Sequence, residues 1–389
     1  MKQTPKILFL SFYFYPDITA GSFRSDSLVE ELKKKEVLID VLTTHPNRYS
    51  SFVNSQSKDL EVEGNVTIRR IKIPSHSSGI FDQSFSYIYY LFGVLRYVRT
   101  KEYDLVYATS GRLFTAFLGS IISRFKGIPL YLDIRDIFKE VIGDILSPGK
   151  SLLIKPILSI VESFTYNSAT KINIVSPGFK NYFRKIVPSK PLSLFTNGID
   201  KEFTSANFKY DVIGKPSPLR MTYAGNIGES QGLEKILPNF LQELKDKIEI
   251  KVVGDGGQRK ALERRIKNLK NISIENPIPR KDLIEYYKQS DVLFIHLNEH
   301  IAFKYVIPSK LFEYAATGRP ILAGVSGFTS EFIKQELDNV AVFKPGDISG
   351  ALNAFEELNF CWTDRSRFIE KFSRQKVMHL MTDDILRTI

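Results

Sequence analysis

The stretch that decides the fold is residues 291–327, DVLFIHLNEHIAFKYVIPSKLFEYAATGRPILAGVSG. Its apolar run 292–297 predicts a buried strand, residues 309–317 predict a short helix, and residues 321–323 predict a second strand. Strand, loop, helix and strand in this order indicate a parallel α/β layer, which binds ligands at the carboxyl ends of its strands. The loop before the helix is therefore expected to border a ligand crevice.

The start of this predicted helix has the features of an anion site. Backbone N–H groups of residues 307–311 are expected to face the crevice, where the helix dipole favours negative charge, and Lys310 adds a full positive charge. Glu313 lies one turn further on, and its carboxylate can accept the two hydroxyls of a ribose. The alternative is that Lys310 and Glu313 are ordinary charges that face solvent.

Composition limits the classes of protein that this chain can represent. Its 389 residues predict two domains, and 43% hydrophobic with 25% charged residues are typical of a soluble protein. The N-terminus has no cleavable signal pattern, so a cytoplasmic location is expected. A lone cysteine, Cys361, excludes an internal disulfide, and His296 with His300 straddle a predicted strand end, so no metal site is expected.

The net charge of +11 is unevenly distributed along the chain. Residues 1–196 contain 26 basic and 17 acidic residues, whereas the rest contains 28 and 26. A basic first half suits nucleic acid, an anionic membrane surface or a phosphorylated substrate, and overall charge does not choose among them.

The first half alternates predicted strands with segments of helix length, which indicates a doubly wound sheet. Its first loop contains only Gly21, so a dinucleotide fingerprint is excluded. Gly21 predicts either a close approach of the backbone to a ligand, with Arg24 on the helix behind it, or a simple turn that begins a helix. Arg135 and Asp136 follow a strand and are expected near the chemistry, although Asp136 could instead cap a helix.

Two apolar segments of the first half, residues 85–98 (FSYIYYLFGVLRYV) and 152–166, predict helices. Each is either a core helix or, because Arg and Lys edge the aromatic residues, a helix that lies on a lipid headgroup layer. A polar stretch with several prolines, residues 207–218, predicts a linker to the second domain.

The second half begins with a predicted strand, 219–224, that leads into Gly225-Asn226-Ile227-Gly228 and then Gln231. Two glycines at a strand end permit backbone N–H groups to close on a phosphate. Further strands are predicted at 248–253 and 272–274, a helix at 281–289, and a last helix at 364–389.

These pieces together resemble the nucleotide-sugar glycosyltransferases of family 4. The motifs that carry the resemblance occur along the chain in the same order as in the family: FYFYPDITAGSFRSDSLVEEL, LDIRD, FTNGID, YAGNIGESQGLEKIL, VVGDGGQR and VIPSKLFEYAATGRPIL. The resemblance implies the α/β fold called GT-B, in which two doubly wound Rossmann-like domains face a cleft. It implies an acceptor domain at residues 1–200, a nucleotide-sugar domain at 201–370, and a last helix, 371–389, that returns to the first domain.

The resemblance also implies roles for particular residues. The catalytic residues would be Asp136, Lys310 and Glu313, and no metal would be bound. The acceptor would contact Gly21, Arg24, Arg135 and Asp136. The nucleotide sugar would contact a larger set: Gly225, Asn226, Gly228, Gln231, Ile278, Pro308, Ser309, Lys310, Leu311 and Glu313. The chain departs from the family pattern at two places. Many members have two glutamates eight positions apart, and if Glu313 is the second, Tyr305 stands at the position of the first. Many members also have Arg and Lys in the loop where this chain has Asn226 and Gln231.

The function that the resemblance implies is transfer, with retention, from a nucleoside diphosphate sugar, a UDP-sugar, to a lipid-linked saccharide at the inner membrane surface. LDIRD is similar to a motif of the branch that builds bacterial surface polysaccharides such as lipopolysaccharide or capsule. No cofactor is expected, and no Asp-x-Asp pair is present to hold a metal. Two alternatives are a sugar-nucleotide epimerase of the same fold and a non-catalytic nucleic-acid-binding protein. The scattered basic residues form no dense tract, so no nucleic-acid partner is expected.

Overall fold

The computed structural model describes residues 4–17, 19–47, 57–74, 80–110, 113–137, 139, 148–209 and 217–389, with only the backbone at 80–84 and 148–153. The chain divides into two compact units. The first contains Met1–Asn197 and Arg374–Ile389, and the second contains Gly198–Ser373. Within the described residues, no helix is both long and apolar enough to cross a membrane.

The first unit is built on an eight-stranded sheet. Its strands are β1 (Lys6–Leu10), β2 (Leu38–Thr44), β3 (Leu60–Glu63), β4 (Val66–Ile71), β5 (Leu105–Thr109), β6 (Leu130–Ile134), β7 (Lys171–Ile174) and β8 (Leu192–Leu194). They lie in the order β3-β4-β2-β1-β5-β6-β7-β8, and only β3 pairs antiparallel. Because the order reverses between β1 and β5, the carboxyl ends of these strands form the expected ligand crevice.

Helices cover this sheet, at Ala20–Lys33, Ile80–Val98, Leu113–Lys126, Pro148–Ser168, Lys180–Ile186 and Arg374–Leu386. The Thr19 side chain caps the first of them by accepting from the Ser22 N–H at 3.0 Å. Met378 and Met381 of the last helix enter the core beside Leu28 and Leu32 of the first. The C-terminal helix is therefore an integral part of the first unit.

The second unit has a six-stranded parallel sheet. Its strands are β9 (Leu219–Ala224), β10 (Ile248–Val253), β11 (Ile272–Glu275), β12 (Val292–His296), β13 (Ile321–Gly324) and β14 (Val340–Phe343), in the order β11-β10-β9-β12-β13-β14. Its helices are Lys201–Ser205, Leu233–Glu243, Arg259–Ile266, Arg280–Gln289, Ser309–Ala316, Phe328–Glu336, Ile348–Glu356 and Ser366–Phe372. Here the order reverses between β9 and β12, so the loops after these two strands border the crevice.

The structure corrects several sequence expectations. The predicted last helix, 364–389, is two helices, because Ser373 between them is extended and bridges Ile199. Strands β3 and β14 were not predicted. Of the predicted linker 207–218, residues 210–216 lie outside the described residues, and Phe208 packs in the core of the second unit.

Candidate active site

Lys310 and Gly225 meet at the β9/β12 reversal of the second sheet. Gly225 follows β9 directly and has φ of +142°, a conformation that favours glycine. A Cβ atom at this position would collide with the Lys310 Nζ, so the absence of a side chain admits the lysine. The ammonium also lies 4.8 Å from the centroid of the Tyr223 ring. The glycine loop after β9 and the start of the helix Ser309–Ala316 were predicted separately as phosphate-binding segments, and the structure shows that they are in contact.

The Lys310 ammonium has no ion pair or hydrogen bond to any residue that the structure describes. Burial lowers the pKa of Lys310 to about 8, with Glu313 opposing the shift and Arg280 adding to it. A partly buried cation without a carboxylate partner is an attractive position for an anionic ligand.

The loop after β9 adds backbone donors to this position. Asn226 donates from Nδ2 to Oε1 of Gln231 at 2.8 Å, and its carbonyl accepts from the Tyr223 hydroxyl at 2.6 Å. These contacts hold the loop, but the N–H groups of Asn226 and Gly228 donate to no described residue. Asn226 and Gln231 thus shape the loop, and the two amides are available to a phosphate.

The helix Ser309–Ala316 begins beside Lys310, after an extended Pro308. The N–H groups of Ser309 and Lys310 have no acceptor among the described residues, as expected for a first helical turn. Leu311 is different, since its side chain is fully buried and its N–H donates to the Pro308 carbonyl at 3.0 Å. The contact of Leu311 with the ligand stays a prediction, which neither its buried side chain nor this backbone bond supports.

Glu313 faces an arginine that the sequence analysis missed. Arg280, the first residue of its helix, forms ion pairs with both Glu313 and Asp200. Burial lowers the pKa of Arg280, but the two carboxylates outweigh this effect and raise it above its ordinary value. Only the position of Arg280 after Pro279 at a helix start could have marked it, because its partners are distant in sequence.

Ile278 and His296 also lie in the second unit. Ile278 is partly buried and packs at the edge of the core, where its predicted contact with the nucleotide stays a prediction. His296, at the end of β12, is buried, and its ring nitrogens contact the Gln231 carbonyl at 2.6 Å and the Gly346 N–H at 3.1 Å. Burial lowers the pKa of His296 to about 4, so it joins three loops as a neutral imidazole.

In the first unit, Gly21 and Arg135 are in contact. A Cβ at Gly21 would collide with the Arg135 guanidinium, so this glycine lets the arginine lie over the start of the helix Ala20–Lys33. Asp136 is partly buried, and burial raises its pKa while Arg135 opposes the shift. The structure brings Gly21, Arg135 and Asp136 together in the first unit, and their contact with an acceptor stays a prediction.

Arg24 does not belong to this group. It is 1% exposed and contacts both oxygens of Asp133, at 2.8 and 3.0 Å. It also donates to the carbonyls of Thr196 and Phe195 at 2.6 and 2.9 Å. These bonds occupy the guanidinium inside the first unit, so the prediction that Arg24 contacts a ligand is wrong. Its function is to neutralise the buried Asp133 carboxylate.

Comparison of the sequence with protein families gives two matches that together cover most of the chain. Residues 22–198 match the glycosyl transferase 4-like domain, and residues 218–359 match the glycosyl transferases group 1. The chain is a family 4 glycosyltransferase. A comparison of this glycosyltransferase with curated proteins gave no match.

The fold of the glycosyltransferase is GT-B, as predicted. Sucrose-phosphate synthase from Thermosynechococcus elongatus is similar with a TM-score of 0.77 and 14% identity, over 98% of each chain. Anabaena HepE in complex with UDP gives 0.66 and 15%, over 99% of this chain and 100% of the other. The lipopolysaccharide outer core galactosyltransferase WaaB, in its apo form, gives 0.62 and 12%, again over 99% and 100%.

Among its described residues, the glycosyltransferase has no group of three or more His, Cys, Asp or Glu side chains that could hold a metal ion. Each unit therefore has a candidate site of its own. The second unit has the Lys310 cation, the backbone amides and the Arg280–Glu313–Asp200 cluster. The first unit has Gly21, Arg135 and Asp136.

Proposed function

We propose that this glycosyltransferase transfers a glycosyl group from a nucleoside diphosphate sugar, a UDP-sugar, to a lipid-linked saccharide acceptor. One observation carries the donor assignment: the partly buried Lys310 ammonium lies against Gly225 without an anionic partner among the described residues. Similarity to HepE, whose structure contains UDP, supports the choice of nucleotide.

The chemistry follows from where negative charge develops. As the anomeric C–O bond breaks, the diphosphate leaves as an anion, and groups fixed around it stabilise the transition state more than the ground state. Lys310 and the amides of Asn226, Gly228 and Ser309 are suited to this task. Because they supply positive charge themselves, the proposed transfer needs no metal and no other cofactor. Retention is proposed from the family resemblance.

Asp136 is proposed to orient the acceptor hydroxyl and accept its hydrogen bond. Burial raises the pKa of Asp136, which makes its carboxylate a better proton acceptor, while Arg135 opposes the shift. Arg135 beside it would bind an anionic part of the acceptor. The resemblance of LDIRD and the similarity to WaaB support an acceptor of surface polysaccharide synthesis, such as lipopolysaccharide or capsule.

An exposed apolar stripe supports peripheral contact with the cytoplasmic membrane face. Four side chains of the helix Ile80–Val98 are between 47% and 66% exposed and share one face, at spacings of three, four and seven residues: Phe85, Ile88, Tyr89 and Phe92. Exposed Arg96, Arg99 and Lys101 follow toward the end of the helix. Tyr87 of the same helix is buried and packs against Phe114, so it is not part of this stripe.

A panel of radiolabelled nucleotide sugars tests the proposed reaction. Incubation with the full chain and an undecaprenyl-linked saccharide pool should move label from one donor into the lipid fraction. Formation of an epimer without transfer would instead favour a sugar-nucleotide epimerase. No change to any donor would contradict both proposals.

Flotation of the full chain with anionic and neutral vesicles tests the membrane contact. Binding to anionic vesicles should decrease at high salt, because each basic group near such a surface contributes about 1 kcal/mol that salt screens. The double variant Ile88→Ser/Phe92→Ser should lose binding, whereas the control Val62→Ser, which changes a residue 65% exposed on β3, should not. Equal flotation of both variants would contradict the assignment of this stripe.

A further inference from the structure

Arg280 joins three separate segments of the second unit. Its guanidinium pairs with Asp200, which precedes the helix Lys201–Ser205, and with Glu313 on the helix Ser309–Ala316. The same guanidinium lies 5.1 Å from the centroid of the Phe203 ring. The side chains of Arg280, Asp200 and Glu313 are only 11%, 9% and 16% exposed. The cluster is thus nearly enclosed, and water competes weakly for these contacts.

The planar guanidinium donates in fixed directions, so pairing with Asp200 at one nitrogen sets where the other nitrogen can meet Glu313. Arg280 contacts Oε1 of Glu313 and leaves Oε2 without a partner among the described residues. A carboxylate oxygen fixed in this way remains able to accept hydroxyl groups, which is what ribose recognition requires.

The arginine also separates Glu313 from Lys310. These residues are three positions apart on one helix, a spacing at which opposite charges commonly pair. Here they form no ion pair, since Glu313 is held by Arg280 instead. Without Arg280, the Glu313 carboxylate would be free to turn toward the Lys310 ammonium and to neutralise it.

We propose that Arg280 is a positioning residue: by bridging Asp200 and Glu313, it presents the Glu313 carboxylate to the ribose and creates selectivity for ribonucleotides. This inference rests on the proposed function, because it assigns the ribose of the nucleoside diphosphate to Glu313. It adds a residue that contacts neither the sugar nor the diphosphate, and it predicts a specificity that a purely structural arginine would not control.

The test compares the affinities of UDP and 2′,3′-dideoxy-UDP by calorimetry. Two hydrogen bonds from the ribose to a charged acceptor should make the wild-type protein prefer UDP by at least about tenfold. Arg280→Gln should bring this ratio toward unity, mostly by weakening UDP. Arg280→Lys should give an intermediate ratio, because one ammonium cannot bridge both carboxylates as a guanidinium does.

Arg220→Gln is the matched control. Arg220 pairs with both oxygens of Asp291, each at 3.1 Å. This pair lies where β9 and β12 begin, whereas the candidate site lies where these strands end. The loss of Arg220 should therefore leave the ratio unchanged. Because the ratio compares two ligands on one protein, a general loss of stability does not move it. If Arg280→Gln does not fold, Arg280→Lys supplies the comparison.

The outcomes are distinguishable. A wild-type protein that binds neither nucleotide contradicts the proposed function itself. A wild-type protein that binds both equally contradicts ribose recognition by Glu313, and with it the role of Arg280. Selectivity in the wild type that persists unchanged in the Arg280 variants overturns the inference about Arg280 and leaves the proposed function intact.

Discussion

The lowered pKa of Lys310 predicts a pH dependence of donor binding. With a pKa of about 8 in the free protein, the ammonium is about 90% protonated at pH 7 and about 10% protonated at pH 9. A bound diphosphate favours the charged form and raises this pKa, so binding takes up a proton above pH 8. Affinity should therefore fall as pH rises, about tenfold between pH 7 and 9, or roughly 1.4 kcal/mol.

Lys310→Met removes the titrating group. Its affinity for UDP at pH 7 should be lower by roughly one to two powers of ten, the value of a hydrogen bond to a charged group. More specifically, the tenfold change between pH 7 and 9 should disappear. The control is Lys304→Met, an exposed lysine six residues earlier in the same loop, which should keep the wild-type profile.

Calorimetric titration with UDP at half-unit pH intervals provides the measurement. Any titration of the nucleotide itself is common to the three proteins and cancels when the affinities are divided. A wild-type affinity that stays constant over this range would show that Lys310 is not the ammonium that meets the diphosphate. The same conclusion would follow from equal slopes in the wild type and in Lys310→Met.

Three further predictions concern neighbouring features. Glu313→Ala should abolish or strongly weaken UDP binding while circular dichroism stays that of the wild type, and unchanged affinity would refute the ribose assignment. Gly225→Ala should cost about 1–3 kcal/mol of unfolding free energy, because alanine rarely adopts a φ of +142°, and it should weaken UDP binding; a thermal melt and a titration measure the two effects. Arg24→Met should destabilise the protein by about 3–5 kcal/mol, since it leaves Asp133 buried and unneutralised, and denaturant titration should show partial recovery in Arg24→Met/Asp133→Leu.

The fold could be predicted from sequence wherever a strand is apolar and enclosed. Residues 219–224 and 248–253 were predicted as strands with the bounds that the structure shows for β9 and β10. The strand β3, LEVE, escaped prediction because it lies at a sheet edge and only one of its residues is not exposed. Helix periodicity likewise continued through Ser373, where a tertiary bridge to Ile199 interrupts it.

The candidate site was predictable in part for a related reason. The proximity of Gly225 to Lys310 follows from topology, because the carboxyl ends of parallel strands meet at one sheet edge. The partner of a buried charge does not follow from topology. Arg24, the fifth residue of its helix, has the same local sequence whether it faces a ligand or, as here, pairs with Asp133, 109 residues away. Arg280 was missed for the same reason.

The arrangement of charge in the second unit favours a nucleoside diphosphate over other anions. The formal charges of this cluster sum to zero over Lys310, Arg280, Glu313 and Asp200. Both carboxylates, however, pair with Arg280. The positive charge of Lys310 beside Gly225 therefore has no acidic partner. The carboxylate of Glu313, held by Arg280, can still accept hydrogen bonds from a ligand. A ligand with only negative charge gains from the first position and is repelled by the second. A diphosphate that carries a neutral diol one helical turn away gains from both, which is the distribution that a nucleoside diphosphate presents.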